Sequence, residues 1–210
     1  ENKRAYPMKL PFIYLASASP RRHELLKQIG VNHEVLRVPT PEDAEDEPIL
    51  AGEAPPDYVI RTAREKAQRA LNYITQNSAT LPMYPILAAD TCVMIDGQVV
   101  DKAHSDDDVR RSLERLSASV HEVHTHLVLV DGERILERNC INTLSMRQLN
   151  AEEIAHYVQS GEGLGKAGGY AIQGLGAMLI ERLEGSFSGV VGLPLSDTWE
   201  LLTLLVEQSE

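Results

Sequence analysis

Residues Phe12 to Gly30 read FIYLASASPRRHELLKQIG, and the fold class turns on them. "FIYLA" is an apolar run of buried-strand length, and Ser17, Ala18 and Ser19 lead from it into a helix. Ser19 suits an N-cap, Pro20 suits the first helical position, where its missing N–H is no loss, and Gly30 supplies a stop after Leu25, Leu26 and Ile29. A strand feeding a helix is the building unit of an α/β fold. The oddity is charge. Arg21 and Arg22 fall in the first turn, where the helix dipole is already positive, so they are locally unfavourable unless an anion meets them. Either the guanidinia are simply solvated or they complete a phosphate cradle with the backbone N–H groups.

Working outward, the 210 residues carry 31 acidic against 20 basic side chains, a net charge of −11, and are 43% hydrophobic. That composition suits one sizeable domain or two small lobes sharing a core; residues 1–11 read as a tail and 12–210 as a single domain. The acidic balance argues against nucleic acid or an anionic membrane as partner, so an anionic ligand must meet a local basic cluster. Cys92 and Cys140 are too few for a disulfide framework and read as free thiols of a reducing compartment. The opening ENKRAYPMKLPF has no signal-peptide pattern and no later run is of membrane-spanning length, so the expected location is cytoplasmic.

VPTPEDAEDEP (Val38–Pro48) has no apolar periodicity and reads as loop; its carboxylates are either solvated or hold a divalent cation. From Asp57 to about Gln76, Val59, Ala63, Ala67, Ala70 and Ile74 form one helical stripe. Lys66 falls beside that stripe, where it either lays its stem over the core or aims its ammonium into a cleft. In PILAADTCVMIDGQVVDK (Pro85–Lys102), Asp96-Gly97 signals a two-residue hairpin. Counting from the turn pairs Ile95 with Gln98, Met94 with Val99 and, without a bulge, Thr91 with Lys102. Asp90, Thr91 and Lys102 then converge, as a structural Asp90–Lys102 ion pair or as a metal-and-phosphate site.

Ser105 caps a helix whose first turn holds Asp106, Asp107 and Asp108, which the dipole favours without any metal. In HEVHTHLVLV (His121–Val130), His124 and His126 share a strand face near His121, a pattern that suits zinc. Strand alternation explains it as well, and no cysteine or compact carboxylate set completes a tetrahedron. Asp131-Gly132 turns this strand into RILERNCINTLSMR, and Asn150 opens a short helix that Gly161 closes. GEGLGKAGGYAIQG (Gly161–Gly174) contains neither a Walker-A pattern nor a dinucleotide fingerprint; it leaves Lys166, Gln173 and backbone able to approach a ligand. A strand MLIERL and a final helix capped by Ser196 complete the chain.

Taken in order, LASASPRRHELL, AREKA (Ala63–Ala67), AADT (Ala88–Thr91), Lys102, KAGGYAIQG (Lys166–Gly174) and VVGLPL (Val190–Leu195) resemble the Maf nucleotide pyrophosphatases over nearly the whole chain from Phe12. The resemblance implies an α/β fold of Maf/ITPase-like form: a long twisted mixed β-sheet flanked by helices, two lobes with a central cleft, assembled as a homodimer. It implies hydrolysis of a nucleoside triphosphate between the α and β phosphates with a divalent cation, Mg²⁺ or else Mn²⁺ or Co²⁺. By position it makes Ser17, Arg21, Arg22 and Lys166 phosphate-binding residues and Lys66 and Lys102 basic catalytic residues. Asp90 becomes the central catalytic aspartate and metal ligand. Glu42 becomes the acidic-loop carboxylate that shares catalysis and metal, with Asp43 as the alternative. Arg21, Thr91 and Gln173 resemble the dTTP/UTP branch rather than the branch acting on 7-methyl-GTP. The chain departs from the family at Ala103, where proline is common, and at Gly165, where many members carry aspartate. A non-catalytic nucleotide-binding regulator of cell division and a metal-dependent phosphomonoesterase remain the competing functions.

Overall fold

The opening strand–helix unit forms as its residues dictate. In the computed structural model, which describes residues 9–40 and 48–208, β1 (Ile13–Leu15) is buried and α1 (Pro20–Gln28) follows it. Ser19 caps α1, its hydroxyl accepting from the Arg22 N–H at 3.4 Å. β2 (His33–Val35) returns parallel to β1, which pairs on its other side, also parallel, with β3 (Ile86–Ile95). β5 (Val120–Asp131), β6 (Arg134–Met146) and β7 (Ile180–Glu184) then add antiparallel, giving the order β2-β1-β3-β5-β6-β7. β4 (Gln98–Val100) folds back on β3 through Asp96 and Gly97, both at positive φ (52° and 69°) as a two-residue hairpin of this type requires. The sheet is mixed, as expected.

Alternation along β3 and β5 divides the interior into two cores. Ile86, Ala88, Val128 and Val130 face α2 (Pro55–Gln76), whose Ala63, Ala67, Ala70 and Ile74 complete that layer. Leu87, Ala89, Leu127 and Leu129 face the larger core. That core is closed by α1, α3 (Asp106–Leu116), α4 (Ala151–Gln159), α5 (Phe187–Val191) and α6 (Leu195–Glu207). Ser105 and Asn150 cap α3 and α4 as read, and Asn150 forms a full capping box with Glu153.

Four expectations need correction or closer statement. The β3–β4 register holds from Ile95↔Gln98 to Val93↔Val100 and then ends, because Lys102 leaves the ladder to bridge Ala167; Thr91 pairs with no residue of β4, and with Thr125 of β5 across the other edge of the strand. The β5–β6 turn is Gly132-Glu133, since Asp131 still pairs with Arg134. Ser196 does not cap α6: Pro194 holds that position, and Ser188 Oγ accepts the Leu195 N–H from across the loop at 2.9 Å. The three histidines are buried and have protein partners: His121 with Tyr170, His124 with Glu122, His126 with Asn139 and Glu137. Among the described residues no group of three His, Cys, Asp or Glu side chains is placed to hold a metal, and no helix is long and apolar enough to cross a membrane.

Candidate active site

Asp90 sits halfway along β3, on the face covered by α2, at the point where the strand passes from the core to a cleft. An isolated carboxylate there would be costly. Two α2 side chains one turn apart meet it: Lys66 Nζ donates to Oδ1 at 2.9 Å, and the Thr62 hydroxyl donates to Oδ2. Lys66 thus pairs with Asp90, and Thr62 is a partner that the stripe pattern did not single out. Burial pushes the Asp90 pKa up, but Lys66, the Thr62 hydrogen bond and Arg22 together hold it below the ordinary carboxylate value. Lys66 is lowered as well, chiefly by burial, which outweighs the pull of Asp90, with smaller contributions from the nearby Arg22 and Lys102. The two directions have different origins: surrounding cations hold Asp90 ionised, whereas loss of water disfavours the Lys66 ammonium.

The two arginines of α1 part company. Arg22 is threaded inward, donating from Nε to the Gly192 carbonyl at 2.7 Å, from Nη2 to Thr91 Oγ1 at 3.1 Å and from Nη1 to Ser17 Oγ at 3.4 Å. It fixes the α5–α6 loop against β3 and keeps two N–H donors in reserve. Ser17 Oγ also accepts the Ser19 N–H at 3.1 Å, so its own proton is available to an acceptor such as a phosphate oxygen. Arg21 makes no hydrogen bond among the described residues and lines the central cavity as well as a depression outside it.

Three adjoining cavities of about 160, 240 and 510 Å³ share Lys66 and Lys102. Lys166 joins through the glycine-rich loop, which is stitched beside β4 by the Lys102–Ala167 bridge and by the Gly165 N–H on the Ala103 carbonyl at 2.7 Å. Gly168 permits that close packing: at φ +69°, a side chain there would meet Val93 Cγ2 at 2.9 Å. Glu162 anchors the far end of the loop. Its carboxylate accepts from Tyr157 Oη and from the backbone N–H groups of Leu175 and Gly176, at 2.9, 3.0 and 2.9 Å. Gln173, just before these, is exposed and shares with Arg21 the depression outside the central cavity.

The structure thus brings Ser17, Arg21, Arg22, Lys66, Asp90, Thr91, Lys102 and Lys166 to one set of connected cavities, and holds Gln173 at its outer margin. Glu42 and Asp43 lie outside the described residues; Thr40 and Pro48, which flank that segment, each border one of the cavities containing Lys66. Thr62, Thr125 and Glu162 went unrecognised, because each matters only through a partner distant in sequence.

A carboxylate ringed by lysines and arginines in a chain of opposite net charge defines a protein built to receive a polyanion. The chain matches the family model described as Maf-like protein over residues 12–205 and belongs to that family. A Bordetella avium protein named dTTP/UTP pyrophosphatase is 51% identical over 192 residues, covering 91% of this chain and 94% of the relative. A Cupriavidus pinatubonensis protein of the same name is 44% identical over 192 residues, covering 91% and 95%. Among solved structures, the Staphylococcus aureus Ham1 protein aligns with 64% of this chain and 71% of its own at a TM-score of 0.43 and 13% identity.

Proposed function

We propose that the chain hydrolyses nucleoside triphosphates between the α and β phosphates, releasing a monophosphate and pyrophosphate, with dTTP, UTP and modified pyrimidine nucleotides as substrates. The observation that carries this is Asp90, held between Lys66 and Thr62 at a cleft where Arg21, Lys102 and Lys166 also converge. Family membership and two relatives named dTTP/UTP pyrophosphatase support it. Phosphoryl substitution needs positioned water and charge neutralisation more than covalent help. Ser17, Arg21, Arg22, Lys66, Lys102 and Lys166 bind and orient the phosphate oxygens. Asp90 keeps lone pairs beyond those used by Lys66 and Thr62, and accepts the proton of the attacking water as its oxygen bonds to phosphorus. The bridging oxygen departs with pyrophosphate.

The donor chemistry fits a hard divalent cation, Mg²⁺ or else Mn²⁺ or Co²⁺: such an ion takes one or two carboxylates and draws its other ligands from phosphates and water. Asp90 is the described carboxylate that would hold it, with Glu42 or Asp43 as the second. When bound, the cation supplies further charge neutralisation and acidifies water. Arg21 and Gln173 meet the base at the outer end in this reading, which their shared depression supports. A panel of canonical and base-modified triphosphates, assayed separately for pyrophosphate and orthophosphate, tests the proposal. Orthophosphate alone would mean a phosphomonoesterase, and tight binding without turnover a regulator. The enzyme is further proposed to act on free nucleotides in the cytoplasm as a homodimer; a monomer mass by light scattering would remove the dimer.

A further inference from the structure

Beside its apolar stripe, α2 carries a polar one. Thr62, Lys66 and Arg69 are spaced i, i+4 and i+7 and so share one side of the helix. The first two meet Asp90, and Arg69 stands about 4.5 Å further along the axis than Lys66, nearly one turn on. The three adjoining cavities follow the same order: Thr62 lines the one of about 240 Å³, Lys66 lines all three, and Arg69 lines the largest, of about 510 Å³.

Two properties set that largest cavity apart. It opens at the carboxyl ends of parallel strands, lined by Ser17 just past β1, by Leu36 and Arg37 just past β2, and by Ala89 of β3. The parallel order there is β2-β1-β3, and the connecting helices lie on opposite faces, α1 sharing the core of Ile13 and Leu15 and α2 that of Tyr14. The connections diverge between β1 and β3, which is where an α/β sheet leaves a ligand crevice. Its charge is also one-sided: seven of its lining residues are arginine or lysine and none of the described ones is acidic, whereas the other two cavities each contain Asp90.

We propose that Arg69 binds the terminal phosphate of the substrate and so makes the site select triphosphates over diphosphates. The inference rests on the hydrolysis proposed above, in which Asp90 serves the water attacking the α phosphorus and the base lies outward at Gln173. The departing β and γ phosphates then run past Lys66 into the cavity that Arg69 lines and Gln173 does not. A guanidinium suits the far end, because its planar fork gives two N–H groups to two oxygens of one phosphate. Arg37 adds positive charge from beyond β2, but it is exposed and screened by solvent, so Arg69 is the discriminating group.

The test measures the affinities of UTP, UDP and UMP by titration calorimetry without added metal, and pyrophosphate release from UTP with metal, in the parent, Arg69→Ala and Arg69→Gln. UDP lacks the γ phosphate and UMP lacks both departing phosphates, so each reports the site without the contact in question. The parent should bind UTP more tightly than UDP. Arg69→Ala should lose at least about tenfold in affinity for UTP, the scale of a hydrogen bond to a charged group, and keep its affinities for UDP and UMP. Arg69→Gln keeps most of the stem but not the charge and should lose UTP affinity alike. Unchanged UTP affinity in Arg69→Ala, an equal loss for UDP or UMP, parent-like UTP binding by Arg69→Gln, or a parent that binds UTP and UDP equally overturns the inference while leaving the hydrolase proposal standing. A parent that releases no pyrophosphate from UTP removes that proposal, and this inference with it.

Discussion

Lys66 Nζ lies 2.9 Å from Asp90 Oδ1, tying the middle of α2 to the centre of β3 inside a cluster that also contains Arg22 and Lys102. Removing one partner of a buried ion pair usually costs several kcal/mol, because a charge is stranded. Here the loss is offset, since burial already disfavours the Lys66 charge and Arg22 and Lys102 still border the cavity beside Asp90.

Lys66→Ala and Lys102→Ala should therefore lower activity at least about tenfold while moving the melting temperature little, since each removes a proposed phosphate ligand together with a positive charge from a crowded cluster. Steady-state kinetics beside thermal melts check this. Normal turnover with a large stability loss would make both lysines structural.

His121 predicts the acid limb of stability. Burial drives its pKa down to about 4 from 6.5, and its Nδ1 is buried without a partner. The sign follows from linkage: below about pH 6.5 the unfolded chain takes up a proton that the native state refuses. Stability is whole above that value and is lost as pH falls toward 4, by about 3 kcal/mol in total. His121→Phe, which cannot titrate, should flatten the dependence of melting temperature on pH between 6.5 and 4.5. An unchanged slope would show that other groups carry it.

Local chemistry made much of this legible. Ser19-Pro20 marks a helix start and Asp96-Gly97 a hairpin through atoms within four residues, so both form as read. The α2 stripe announces its buried face because helical spacing is enough. Longer-range features were not legible. Counting from the hairpin cannot know that Ala167, distant in sequence, bridges Lys102 and ends the ladder. Thr62 reads as one more stripe residue until Asp90 is placed beside it. The carbonyls of Gly189 and Gly192, which organise Thr125 and Arg22, have no side-chain signature at all.

Glu162 holds the loop that carries Gln173 by accepting two backbone N–H groups and the Tyr157 hydroxyl. Glu162→Ala strands these donors, at about 1–3 kcal/mol each where they are buried. Its melting temperature should drop and KM for UTP should rise more than kcat falls. Equal change in both parameters would argue that the loop does not order around the nucleotide.

Gln173 is exposed at the outer margin beside Arg21. If it reads the base, Gln173→Ala should erode the preference for UTP and dTTP over purine triphosphates by roughly tenfold and leave stability unchanged. Uniform slowing across all nucleotides would place it with the phosphates instead.

Asp90 concentrates the chemistry, and replacing it separates chemistry from binding. Asp90→Asn keeps the shape and can still accept from Lys66 or Thr62, but it loses the negative charge and the basic oxygen that takes the water's proton. Turnover should fall at least about a hundredfold, the usual scale for deleting a general base. Binding of the triphosphate should survive or tighten, because the surrounding lysines and arginines are no longer neutralised by a carboxylate and face the phosphates with more net positive charge. Titration calorimetry with UTP in the absence of added metal measures that term alone, and pyrophosphate release with metal measures the chemistry. An Asp90→Asn variant that turned over near the parent rate would require another base, whatever its affinity. Lost binding together with lost turnover would mean that the carboxylate organises the cation cluster rather than acting on water.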